Sequence, residues 1–193
     1  MGAKKNDQVW ESIIWSVVLG LITLGTCYMF FIEKNTKGFM GILTILLLVV
    51  IAVGQKKFRN LLPSAFVSIV YGFIFMAVGL GTFAGGYKIP HFDDLLHVFS
   101  GVWLAYGSWI ILQKSVGDVL AQQLSKPFIA FYMICFSLAA AGAWELLEFA
   151  GDKLFHFTAQ GRDADDTMFD MIDGLVGGTI TAFLITKQRN VKK

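Results

Sequence analysis

The sequence predicts an all-α integral membrane protein, a bundle of six transmembrane helices that occupies residues 1–193 as a single domain. Three observations carry this expectation. Hydrophobic residues make up 55% of the chain and charged residues only 16%, a balance that suits a chain solvated by lipid. The apolar residues gather in six runs, each near the roughly 20 residues that a helix needs to cross a bilayer. The 20 glycines fit the same class, because glycine lets membrane helices approach closely.

The first run, residues 13–31, is long and ends without a clear small-residue cleavage site, so it reads as a retained helix and not a signal peptide. The second, 39–53, is short and would need extension or local bilayer thinning. The basic stretch QKKFRN and Pro63 separate it from the third run, 65–84, and place that loop at anionic headgroups. Gly85, Gly86 and Pro90 then break the chain before the fourth run, 95–112. The fifth and sixth runs, 128–149 and 168–186, are joined by residues 151–166, where Phe155, His156 and Phe157 suit the membrane interface. Gly81 and Gly85, and again Gly174 and Gly178, stand at the GxxxG spacing of close helix packing. Cys27 and Cys135 fall toward opposite ends of their helices and are expected as free thiols.

Orientation follows from the basic residues. With a cytoplasmic N-terminus, eleven of the 16 Lys and Arg lie on the inner side, which predicts both termini in the cytoplasm. The net charge of +2 comes from residues that flank helices, not from a basic patch, so no nucleic-acid partner is expected. Membrane lipids are the expected surroundings, and the oligomeric state is left open.

Charge inside the spans is the main clue to function. Three clusters read HFDDLLH, WELLEF and GRDADDTMFDMID, and they contain Asp93, Asp94, His97, Glu145, Glu148, Asp166, Asp170 and Asp173. An ionisable group at membrane depth costs about 2.5–3.5 kcal/mol on insertion scales, so it faces a cavity or a partner. His97 lies four residues after Asp93 and three after Asp94, so either aspartate shares its helix face. Glu145 and Glu148 are three apart, with Asp152 four further on, and Asp166, Asp170 and Asp173 step by four and three. The predicted topology brings all three stripes to the outer leaflet, where one outward-facing pocket can gather them.

Carboxylates with one imidazole suit a divalent ion such as Mg, Mn, Zn or Fe. Helix bundles build such centres from acidic and His ligands at these spacings. The expected ligands are Asp94, His97, Glu145, Glu148, Asp166, Asp170 and Asp173, with His97 and Glu145 also placed to move protons in catalysis. The alternative is a hydrated cluster that shares protons and holds no metal. Arg162 either pairs with Asp163, Asp165 or Asp166 or holds an anionic headgroup.

The order of these motifs resembles the YjdF-like family of uncharacterised bacterial inner-membrane proteins. Asp94 with His97, Trp144 with Glu145, and Asp166-Thr167-Met168-Phe169-Asp170-Met171 carry the resemblance. The chain is more distantly similar to VanZ-like membrane proteins through the same Asp94 and His97, Glu145 or Glu148, Arg162 with Asp165 or Asp166, and Gly174 with Gly178. It departs from them at WELLEF, where they carry a glutamine-bearing motif. The resemblance implies a multi-pass protein of the bacterial cytoplasmic membrane with an envelope role, and no agreed chemistry.

Three function classes remain. The first is a metal-dependent enzyme acting on a lipid or lipid-linked envelope molecule. The second is a protein that binds or transports a cation or cationic substrate. The third is a structural or regulatory membrane protein without catalysis.

Overall fold

The structure, a computed structural model, describes residues 2–58, 62–155, 159–160 and 164–188. His156, Phe157, Arg162 and Asp163, expected at the interface or in an ion pair, lie outside these residues. Among the described residues there are seven α-helices and no strand. They are α1 (Gly2–Phe31), α2 (Asn35–Lys57), α3 (Ser64–Ile74), α4 (Phe92–Val116), α5 (Asp118–Gln123), α6 (Lys126–Phe155) and α7 (Ala164–Gln188). A π-helix, Phe75–Phe83, continues α3.

Six segments are long and apolar enough to cross a membrane: Asn6–Phe31, Asn35–Lys57, Ser64–Phe83, Phe92–Val116, Lys126–Leu154 and Asp165–Gln188. Large apolar side chains such as Phe31, Leu24 and Phe183 stand on outer helix faces, more than 60% exposed. Lipid tails solvate such faces without penalty, so the all-α membrane fold expected from sequence is the one adopted. The second span needs no bilayer thinning. It runs for 23 residues, about 34 Å at 1.5 Å per residue. The short α5 between spans was not expected.

The chain forms two compact units, Met1–Phe92 and Asp93–Lys193. In the first, Ile22 of α1, Leu48 of α2, and Val67 and Tyr71 of α3 are buried in one core. The Trp15 indole donates to the Leu48 carbonyl at 3.2 Å and ties α1 to α2. The Lys37 ammonium donates to the Thr82 carbonyl at the end of the π-helix. Gly81 and Gly85 do not form the expected helix-packing pair. A Cβ on Gly81 would strike the Tyr87 ring, and Gly85 takes φ +82° to turn the chain after the π-helix, a conformation in which glycine has no Cβ penalty.

In the second unit, α4, α6 and α7 interlock through small residues. A Cβ on Gly101 would collide with the Gly174 carbonyl, and one on Gly177 with the Val98 carbonyl. The Ser137 hydroxyl of α6 lies 3.0 Å from the Gly174 carbonyl and 3.3 Å from that of Gly101. Gly178 packs against the same serine. Gly174 and Gly178 thus do what their spacing predicts. Ala105, Ile129, Met133 and Ala182 close the core at the far end of this unit.

Candidate metal centre

The glycine contacts set the register of the site. Gly101 of α4 meets Gly174 of α7, and one turn nearer the helix starts His97 stands beside Asp170. His97 is 7% exposed and Asp170 5%, so both are withdrawn from solvent. The His97 Nε2 atom lies 3.7 Å from an oxygen of Asp170 and 3.7 Å from an oxygen of Asp93. These separations are long for hydrogen bonds. Two ligand atoms held about 2.1 Å from one ion stand roughly 3.0–3.5 Å apart, so a modest contraction would bring the trio to the spacing of ligands.

Two sets of three donors can each converge on one point, with their ligand atoms within 4.8 Å of one another. The first is Asp93, His97 and Asp170; the second is Asp94, Asp170 and Asp173. Asp170 belongs to both, and a carboxylate has two oxygens to divide between neighbours. The i, i+3 and i, i+4 alternatives left open by spacing therefore divide: Asp93 turns to His97, and Asp94 turns to Asp170 and Asp173.

Glu145 enters from α6. It is 5% exposed, its carboxylate is hydrogen-bonded by Thr167 and lies within electrostatic range of His97, Asp93 and Asp166, and its Oε1 is buried without a hydrogen-bond partner. A buried carboxylate oxygen with no donor is costly in a folded protein and calls for a cation or proton. A chain of contacts fixes this side chain. Asp152 accepts from the backbone N–H groups of Ala159 at 2.8 Å and Gln160 at 3.2 Å. The Gln160 side-chain amide then donates to the Thr167 hydroxyl at 3.3 Å. From sequence, Thr167 enters only as a member of the Asp166–Met171 motif and Gln160 not at all, because neither is charged.

The remaining expected ligands are more peripheral. Glu148 is half-buried, accepts from the Trp144 indole at 2.8 Å and lies within electrostatic range of Glu145, Asp93 and Asp170, but it is in neither three-donor set. Asp166 is half-buried, within electrostatic range of Asp93, Glu145 and Asp170, but in neither three-donor set. Lys153 does not reach into the cluster: its ammonium sits 5.5 Å over the Phe149 ring. Among the described residues no Lys or Arg forms an ion pair with Asp93, Asp170, Asp173 or Glu145.

Among the described residues the arrangement offers oxygen donors, one imidazole and little cationic compensation, at the ends of α4 and α7 that also carry their N-terminal dipoles. No curated protein matches the chain. No solved structure matches it. Residues 14–190 match the family described as predicted membrane protein DUF2238, and with nearly the whole chain covered, including every residue of the cluster, this protein belongs to that family.

Proposed function

We propose that the protein binds a divalent cation in this cluster and uses it on a lipid or lipid-linked molecule of the bacterial envelope. The observation that carries the reading is the buried Glu145 oxygen, which lacks a donor beside two three-donor sets that share Asp170. A packing device would satisfy its polar atoms internally, as Ser137 does; a cation site leaves them turned to the ion. The O-rich donor set with one imidazole fits Mg, Mn, Zn or Fe. Such an ion would polarise an ester or phosphate oxygen or activate water. Asp93, Asp94, Asp170 and Asp173 would hold it, and His97 or Glu145 would take or return the proton.

The motif order supports kinship with the YjdF-like proteins and, more distantly, the VanZ-like proteins. In the proposed topology both termini face the cytoplasm and the cluster faces outward, where envelope lipids and their linked sugars are accessible. Elemental analysis of the purified protein tests the reading. Wild type is expected to carry divalent metal at about one or two ions per chain, and Asp170→Asn to carry far less. Metal-free wild type after purification without chelator, still metal-free after dialysis against each ion, overturns it.

A further inference from the structure

The first unit holds a cavity of about 550 Å³ that has no part in the acidic cluster. It is lined by Gln8, Glu11 and Trp15 of α1, Gln55 and Lys56 of α2, and Tyr71 of α3, with small residues between them. That volume is within the range of about 300–1,000 Å³ typical of small-molecule sites.

Its lining changes character with depth. Glu11 lies near the start of the span Asn6–Phe31, and Lys56 near the end of the span Asn35–Lys57. Both therefore sit at headgroup level. Trp15 is one turn further into α1 than Glu11, about 6 Å deeper, and Tyr71 is seven residues inside α3, about 10 Å from its start. Tyr71 is 1% exposed, so its ring forms part of the floor. A charged rim above an aromatic floor matches a molecule with a polar head and an apolar body.

The rim also specifies the head. Much of its hydrogen-bonding capacity is already committed. Gln55 clamps the Leu62 backbone with both ends of its amide, at 3.0 and 3.1 Å. The Ser12 and Ser16 hydroxyls donate to carbonyls of their own helix. Lys57 is turned onto the Phe58 ring, whereas Lys56 lines the cavity. Among the described residues Glu11 and Lys56 make no ion pair with each other or with a third group. Among the described residues one carboxylate and one ammonium thus border the same space without an ion pair, which complements a ligand that carries one charge of each sign.

We infer that this cavity binds a phosphoethanolamine zwitterion, its phosphate on Lys56 and its ammonium on Glu11, with the attached glycerol and first methylenes against Trp15 and Tyr71. A purely anionic head would meet the Glu11 carboxylate uncompensated. A phospholipid and free phosphoethanolamine share the recognised chemistry, and the depth of the floor favours the lipid.

Native mass spectrometry of the full chain in detergent tests this, with dioleoyl phosphatidylethanolamine, dioleoyl phosphatidylglycerol and free phosphoethanolamine as probes. The expected result is one saturable phosphatidylethanolamine adduct, at least tenfold tighter than phosphatidylglycerol. Glu11→Gln and Lys56→Gln should each weaken it at least tenfold. Lys56 is exposed and Glu11 half-buried, so both variants should fold, and their melting temperatures check that. Displacement of the lipid by equimolar phosphoethanolamine would assign the site to the free solute, and failure to displace would assign it to the lipid. Absence of a saturable adduct, equal binding of phosphatidylglycerol, or indifference to both substitutions overturns the inference.

Discussion

Asp170→Asn is the substitution that separates a cation site from a proton-sharing cluster most sharply. Asp170 is the one residue common to both three-donor sets, and its side chain is 7% exposed, against 44% for Asp93. Exchange for asparagine keeps its size and removes one negative charge. If a divalent ion is bound at a free concentration near 100 times its dissociation constant, it stabilises the fold by about 2.7 kcal/mol through mass action. At roughly 2–4 °C per kcal/mol for a chain of this length, chelation should lower the melting temperature of wild type by about 5–10 °C. Asp170→Asn should abolish most of that drop. Asp93→Asn should abolish less, because Asp93 serves one set and is partly open to solvent.

The chelated proteins are expected in the reverse order. Without the ion, Asp93, Asp94, Asp170 and Asp173 repel one another, and removing one charge relieves that repulsion. Metal-free Asp170→Asn should therefore melt at or above metal-free wild type. The assay is a melting curve in detergent with and without chelator, followed by re-addition of each divalent ion. A wild-type curve that chelator does not move, with no ion that raises it, would refute the cation reading and leave the proton-sharing cluster.

Three further outcomes follow from the packing and topology. Gly101→Ala and Gly177→Ala place a Cβ against backbone carbonyls of a neighbouring helix and should each destabilise the protein by about 1–3 kcal/mol; Gly20→Ala, with nothing within 4 Å of its Cβ, should be neutral or stabilising by up to about 1 kcal/mol, all read by melting temperature. Ser137→Ala removes the hydroxyl shared between the Gly101 and Gly174 carbonyls and should cost about 0.5–1.5 kcal/mol in the same assay. Lys153→Cys, in a chain whose free Cys27 and Cys135 are replaced by serine, should be labelled by an impermeant thiol reagent from outside intact cells; labelling only after the cytoplasm is opened would reverse the proposed orientation.

Much of the helical layout was legible because length and hydropathy dominate in a bilayer. Each span had to satisfy its own backbone, so each apolar run became a helix. The ends were less legible. Residues 39–53 looked too short, yet α2 extends to Asn35 and Lys57, since Lys and Gln can sit in a terminal turn with their polar heads at the interface. The π-helix had no signal. FMAVGLGTF reads as an ordinary apolar run, and a change from i+4 to i+5 bonding leaves no mark on composition. The Gly81 and Gly85 spacing misled for a related reason: spacing does not tell a helix interior from a turn, and Gly85 at φ +82° is a turn.

The acidic stripes were legible as stripes, but their division among partners was not. Spacing allowed either Asp93 or Asp94 to face His97, and only the crossing of α4 with α7 decides between them. Glu145 and Glu148 looked equivalent at three residues apart, yet one is buried against Thr167 and the other is held by Trp144. That difference bears directly on function. Glu148 has a local donor in the Trp144 indole. Glu145 lies within electrostatic range of Asp93 and Asp166 and is held in place by a relay that begins at Asp152, while one oxygen is left without a donor. Close glycine packing one turn along α4 and α7 fixes how near the two helices run beside the cluster. Like charges held together at the starts of two spans, with one of their oxygens unbonded, are what the proposed cation site requires and what chelation and Asp170→Asn put to the test.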